Sequence, residues 1–404
     1  MNFKHSNNLI KPWFVVSAIS AFLSMGAVGA WFWLNKATEW LPSPRSDAGK
    51  DLLYHYNRTS HDIALALLLS VVVGLLWSSR PKNAAVKSTP WWQHLYKFAK
   101  EHPVVLILFV IYTIAMVNGT SWFYPELVAW YDGIIDHQLL DNFSIRFEFI
   151  AETMLRNDYR FFPLAHQDLH ILSWFTPYVK VWIIVSAAEL FAIIILSARF
   201  IRRLCGDASA NYLLLIISLL FLSAPSTGFA FFQLIYSERI LTLLFSIYIV
   251  FYLRYQQSKN LGDRNITLAT ALTGMFVKDI GILLFVIPAV VQLALGSLGQ
   301  LQSYPKLQWF QSSWSERRQL IKAYSLEFWL CSFVVIFAIS YAYLTFLPSI
   351  YHNVGSYKMD NSGGLDLDPR SLFLAGFILI RTILAACRHI RFNFLDNLNI
   401  AVIC

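Results

Sequence analysis

The sequence predicts an all-α polytopic membrane protein with about ten transmembrane helices and one large outer loop carrying amphipathic surface helices. Three observations predict it. Of the 404 residues, 57% are hydrophobic and 14% charged, whereas soluble domains carry about 25% charged residues. The mean hydropathy is +0.51. Apolar runs follow one another along the chain, and Lys and Arg gather in the short stretches between them. A net charge of +8 would suggest nucleic acid in a soluble chain. Here it is explained by orientation in a membrane, and no nucleic-acid partner is expected.

The first run, 13–34, is 22 residues long, which matches a spanning helix. It is too long for a signal-peptide core, so it reads as a retained anchor. Shorter runs follow at 63–77 and 104–117, separated by a basic, Pro-punctuated segment with Arg80, Lys82, Lys87, Lys97 and Lys100. Residues 1–102 then form a two-span extension with a basic cytoplasmic loop, and 103–404 form the main transmembrane unit. Its later runs lie at 181–198, 212–223, 240–253, 266–277, 280–295, 328–347 and 372–386. The apolar 399–404 reads as the opening of a further span.

Between the third and fourth runs lies the longest polar interruption, 118–177. It holds Glu126, Asp132, Asp136, Asp141, Glu148, Glu152, Asp158 and Asp168 against Arg146, Arg156 and Arg160. A connection this long is functional or disordered. Apolar residues at helical spacing (Trp130, Ile134 and Ile135, then Phe147, Ile150, Ala151 and Met154) predict two amphipathic helices with carboxylates on the wet face. With the N-terminus inside, the inner segments hold 19 Lys and Arg and the outer ones 11. Positive-inside therefore predicts a cytoplasmic N-terminus and an outer acidic loop. Cys205, Cys331, Cys387 and Cys404 offer neither a disulfide framework nor a metal-ligand spacing.

Charge at membrane depth costs about 2.5–3.5 kcal/mol per central residue unless paired or wetted, so three places stand out. Glu189 falls within an apolar run, where it reads first as a helix–helix hydrogen-bonding group. Lys278-Asp279 interrupts two runs at a turn, where the pair can neutralise itself. Ser237-Glu238-Arg239 opens a run, where the hydroxyl and acid suit a helix start.

Taken together these residues suggest group transfer from a phosphate-bearing lipid. Arg160, Arg239 and Lys278 would stabilise the phosphate leaving group, with Glu238, Asp279 and His166 beside them. A carboxylate near the start of the outer loop would take the acceptor's proton. Asp132 and Asp136, four apart beside Trp130 and Tyr131, are the candidates: Asp132 as base, Asp136 as support or as co-ligand if a divalent cation is used. The segment 160–168 mixes Phe161, Phe162 and Pro163 with His166 and Asp168, which suits either an aromatic belt or a sugar platform. His166 and Asp168 alone are too few for a metal site.

The long acid-bearing outer loop with two amphipathic helices, the Pro-containing runs after it, Ser237-Glu238-Arg239 and the Lys278-Asp279 turn resemble the GT-C superfamily of integral-membrane glycosyltransferases. The resemblance covers 104 onward. It implies an all-helical fold, a polyprenyl phosphate or diphosphate sugar donor, a glycan or lipid acceptor, and transfer on the periplasmic face of a bacterial inner membrane. The family's essential loop acid would fall at Asp132 or Asp136, and its Lys-acid pair at Lys278-Asp279. The adjacent Asp-Glu of many members is absent, Asp132-Gly133 standing there, and two spans precede the family's first. A flippase or transporter of lipid-linked glycans, a polymerase or ligase, and a non-catalytic assembly protein are the competing expectations.

Overall fold

A computed structural model describes residues 40–80, 90–119, 157–176, 179–205, 210–234, 236–298, 313–352 and 369–387, with scattered positions near both ends. Among the described residues every regular element is helical. Four helices are long and apolar enough to cross a membrane: Asp47–Ser78, Lys180–Leu204, Glu238–Ser258 and Ser325–His352. A fifth span is made if Tyr212–Ser223 and Pro225–Phe232, bent by 72° at Ala224, count as one. Pro103–Gly119, Gly281–Ser297 and Ala375–Ala385 are apolar but shorter. Among the described residues, four or five of the ten expected spans are thus long and apolar enough to cross. Most of the run 13–34, and the stretch 130–154 expected to form two amphipathic helices, lie outside the described residues.

Helix α1 (Asp47–Ser78) starts cleanly, the Ser46 hydroxyl accepting from Gly49 N–H. The amphipathic α2 (Trp91–Glu101) leads through His102 into α3 (Pro103–Gly119). Next among the described residues come α4 (Gln167–Phe175), within the polar interruption, then α5 (Val179–Cys205), α6 (Ala210–Ser223) and α7 (Pro225–Phe232). Pro225 opens α7, where its missing N–H costs no bond.

Helices α8 (Glu238–Ser258) and α9 (Leu261–Gly274) form a tight antiparallel hairpin. Lys259 takes a left-handed φ of 54° at the turn and Asn260 caps α9. Helix α9 corrects the sequence reading of a span near 266–277. At 14 residues it is roughly 21 Å long, short of the roughly 30 Å hydrocarbon layer, and most of its surface is buried. Its threonines satisfy themselves in that setting: Thr267, Thr270 and Thr273 donate to carbonyls of the preceding turn.

A sharp turn at 275–280 leads to α10 (Gly281–Leu298). Two glycines permit it. A Cβ on Gly274 would meet the Phe285 ring at 2.2 Å, and one on Gly281 would meet the Gly274 carbonyl at 2.5 Å. Helix α11 (Trp314–Ala323) opens on a capping box, Ser313 with Glu316. Next come α12 (Ser325–Tyr341), a π-helical turn at Ala342–Phe346 and α13 (Leu347–His352). Pro348 accounts for the π turn: it has no N–H to give the Leu344 carbonyl, and the helix widens just before it. Helix α14 (Pro369–Ala386) is held to the later chain by a bidentate pair, Arg381 with the buried Asp396, at 2.5 and 2.6 Å.

The main core gathers Tyr248, Tyr252, Leu272, Met275, Phe285, Leu326 and Leu330 from α8, α9, α10 and α12. A second core joins α3, α5 and α6 around Phe109, Met116, Leu190 and Ile194. Helix α1, from the N-terminal extension, packs on this frame through Asn265 to Ser78 (2.8 Å) at one end and Tyr56 to the Tyr343 carbonyl (2.8 Å) at the other.

Candidate functional site

The segment 157–166 is the element on which the site is assembled. It is a short, irregular piece of chain sewn into the helical frame by its backbone. Asn57 donates to the Asn157 side chain at 2.9 Å. Tyr159 N–H donates to the buried Ser349 hydroxyl at 3.0 Å, and the Tyr341 hydroxyl donates to the Tyr159 carbonyl at 3.3 Å. Leu164 N–H reaches the Phe276 carbonyl at 3.0 Å. Tyr159 and His166 both hold left-handed φ values, 67° and 64°, a costly choice for non-glycine residues that persists only where surroundings impose it.

Phe161 is 2% exposed and meets Phe276, Phe337 and Tyr341 edge-on. Phe162 is also buried and lies under the Arg160 guanidinium, 4.9 Å from the ring centre. Both aromatics are core residues, which corrects the expectation of an aromatic belt or sugar platform here. Sequence could not separate the cases, since an interfacial and a buried Phe share one hydrophobicity.

Around this segment the predicted charged residues converge. Arg239, at the first turn of α8, is 1% exposed. Its guanidinium grips Glu189 of α5 at 2.5 Å and also Asp168 at the start of α4. Glu189 lies ten residues into α5, roughly 15 Å below the helix start. Its hydrogen-bonding role therefore takes the form of an ion pair, which removes the cost of a lone charge at that depth. In the sequence Asp168 stands as one of eight loop acids and beside His166 in the segment 160–168; nothing in its spacing points to a partner 71 residues away.

Lys278 and Asp279 do not neutralise one another. Lys278 pairs with Glu238 of α8, and Asp279 pairs with Arg160, Nε to Oδ2, at 3.6 Å. The other Asp279 oxygen accepts from Phe161 N–H at 2.8 Å. Ser237 precedes α8 but makes no side-chain cap, which corrects the hydroxyl half of the helix-start reading; Glu238 does stand in the first turn, and it pairs with Lys278 as well. Because these residues meet, the start of α8, the 275–280 turn, the start of α4 and the segment 157–166 share one end of the molecule.

His166 faces the same charges. Burial pushes its imidazole down to about 4, opposed by the nearby Asp168 and reinforced by Arg239. It is a neutral group among Asp168, Glu238, Arg239 and Lys278. Among the described residues the cluster therefore sets four carboxylates (Asp168, Glu189, Glu238, Asp279) against three cations (Arg160, Arg239, Lys278). The six described candidates, Arg160, His166, Glu238, Arg239, Lys278 and Asp279, belong to it. Asp132 and Asp136 lie outside the described residues. No group of three or more His, Cys, Asp or Glu suited to a metal occurs among the described residues.

An apolar cavity of about 310 Å³ lies between α1, α9 and α12, and two of its walls come from the stretches that bear the cluster. His61, Leu68, Leu272 and Phe333 line it, and so do Pro163 and Phe276. Pro163 stands three residues from both Arg160 and His166, and Phe276 two before Lys278. The cavity had no counterpart in the sequence reading, because its walls come from four separated stretches.

These features define the class: a protein helical throughout its described regular elements, with helices suited to crossing a membrane, a charged cluster and an apolar cavity. Comparison with family models, curated proteins and solved structures returns no match.

Proposed function

We propose that this chain is a membrane glycosyltransferase resembling the GT-C enzymes, which takes a sugar from a polyprenyl phosphate or diphosphate carrier. One observation carries the reading: the two stretches that bear Arg160 and Lys278 also supply walls, Pro163 and Phe276, of an apolar cavity. A hydrocarbon tail joined to an anionic head is the ligand type such a junction suits. In the reaction, an acceptor hydroxyl on a glycan or lipid attacks the anomeric carbon. The new carbon–oxygen bond forms as the bond to phosphate breaks, and the electron pair leaves on the phosphate. Arg160 and Lys278 stabilise that charge, and a loop carboxylate, Asp132, takes the hydroxyl proton with Asp136 in support.

Arg239 has a different part in this scheme than its first assignment. Enclosed by two carboxylates, it holds α4, α5 and α8 together rather than meeting the head group. By positive-inside counting the cluster faces the periplasm of a bacterial inner membrane, with the N-terminus in the cytoplasm. The test is transfer from a labelled polyprenyl-linked sugar in membranes bearing Asp132→Asn, Asp136→Asn or Lys278→Met. Loss of transfer at normal protein level supports the reading. Wild-type rates in all three sink it.

The buried Arg239–Glu189 pair, deep along α5, favours a second reading, a flippase for the same lipid. Wild-type protein in vesicles that moves a polyprenyl phosphate across the bilayer without transferring sugar would select it.

A further inference from the structure

The described cations of the cluster fall into two kinds. Arg239 is 1% exposed and clasped by two carboxylates that are themselves 16% and 13% exposed. Lys278 and Glu238 are 28% and 39% exposed, and Arg160 and Asp279 are 39% and 41% exposed. The first is a fixture. The other two pairs lie open, and their cations stand three and two residues along the chain from the cavity walls Pro163 and Phe276.

The open pairs are crossed. Lys278 and Asp279 are neighbours in sequence, yet each has a partner on another element. Each carboxylate also has support independent of its cation. Asp279 accepts the Phe161 N–H, and Glu238 sits in the first turn of α8, where the helix dipole favours negative charge. Lys278 and Arg160 are long and flexible, and the Arg160 pair at 3.6 Å is looser than a hydrogen bond. If one half of each pair moves, it is the cation.

We propose that Glu238 and Asp279 are resident surrogates for a lipid phosphate: in the free protein they occupy Lys278 and Arg160, and an isoprenyl phosphate whose tail enters the cavity takes both cations from them. The proposal rests on the lipid-carrier reading above and gives it a resting state. Two carboxylates supply two negative charges to two cations, so both open cations are already paired when the ligand arrives. Binding is then an exchange of partners. The two carboxylates oppose the ligand, and affinity is held down by their competition.

The expected effect is opposite in sign to that of a structural role. Removing a carboxylate that competes for a cation tightens phosphate binding. Removing one that only builds the site weakens it. The probe is farnesyl phosphate, titrated into the full-length protein in detergent, with farnesol as the uncharged control and inorganic phosphate as the tail-less one. Glu238→Gln and Asp279→Asn are each expected to bind farnesyl phosphate more tightly by up to about fivefold, the worth of one partly exposed pair. The Asp279→Asn change keeps a side-chain oxygen for Phe161 N–H, so that variant stays folded if Glu238→Gln does not. Lys278→Met is expected to lose binding.

Binding that is unchanged or weakened in both carboxylate variants overturns the exchange and leaves the lipid-carrier reading standing. No binding by wild type or either variant overturns both. Inorganic phosphate bound as tightly as farnesyl phosphate sinks the lipid carrier alone, and the variants still decide the exchange.

Discussion

Arg239 shows how much one residue can carry. Truncating it to Met would leave Glu189 and Asp168 facing one another without a cation. Loss of one partner from a buried ion pair costs about 3–5 kcal/mol, so Arg239→Met should unfold at markedly lower temperature in detergent. Glu189→Gln should cost much less, since Asp168 still holds the guanidinium. The triple change with Glu189→Gln and Asp168→Asn should recover most of the loss. If Arg239→Met melts like wild type, the clasp is not structural. His166 gives a pH dependence whose sign is fixed. Its folded-state pKa of about 4 lies below the ordinary value of 6.5, so the unfolded chain binds the proton more readily. Its contribution is full above about 6.5 and is lost as pH falls toward 4, about 2 kcal/mol between pH 7 and pH 5. Asp168, Glu238, Arg239 and Lys278 face it, so the diagnostic is the difference: His166→Gln should flatten the thermal midpoint across that range relative to wild type.

At the scale of elements, the turn between α9 and α10 is set by two glycines. The sequence marks it only as Lys278-Asp279 between apolar runs. A Cβ at Gly281 would sit 2.5 Å from backbone oxygen, which cannot swing aside like a side chain. Gly281→Ala should therefore cost about 1–3 kcal/mol and displace Lys278 and Asp279 from their partners, lowering lipid-phosphate binding even where the protein folds. Full stability and binding in that variant would refute the close approach. The π turn is a second such device. Relaxing it to an α-helix would rotate α13 by about 100°, carrying the Ser349 hydroxyl away from Tyr159 N–H. Pro348→Ala removes its cause, so faster amide exchange at Tyr159 is the expected readout. Charges and prolines announced that something happens at these places; the atoms they avoid were not in the local sequence.

Orientation belongs to the whole molecule. The cluster end gathers the starts of α4, α8 and α10. The opposite end carries Arg254, Lys259 and Arg264 on the α8–α9 hairpin, then Arg317, Arg318 and Lys322 on α11. In the proposed orientation the second end is cytoplasmic. In a cysteine-free background, Lys50→Cys should react with an impermeant maleimide in intact cells, and Arg318→Cys only after permeabilisation. The reverse pattern would put the cluster in the cytoplasm and end the periplasmic reading.

Composition and hydropathy by themselves determined that this chain is helical and suited to a membrane, because insertion is close to a sum of local residue preferences. They also flagged Glu189, Glu238, Arg239, Lys278 and Asp279, since a charge beside apolar runs is conspicuous without any partner in view. Only the tertiary structure decided who pairs with whom, that Phe161 is core, that 261–274 is an internal helix, and that the stretches bearing Arg160 and Lys278 also wall an apolar cavity. Those facts depend on the rotation and depth of helices joined across 40 to 118 residues, and a pairing energy that falls with distance has no local signature.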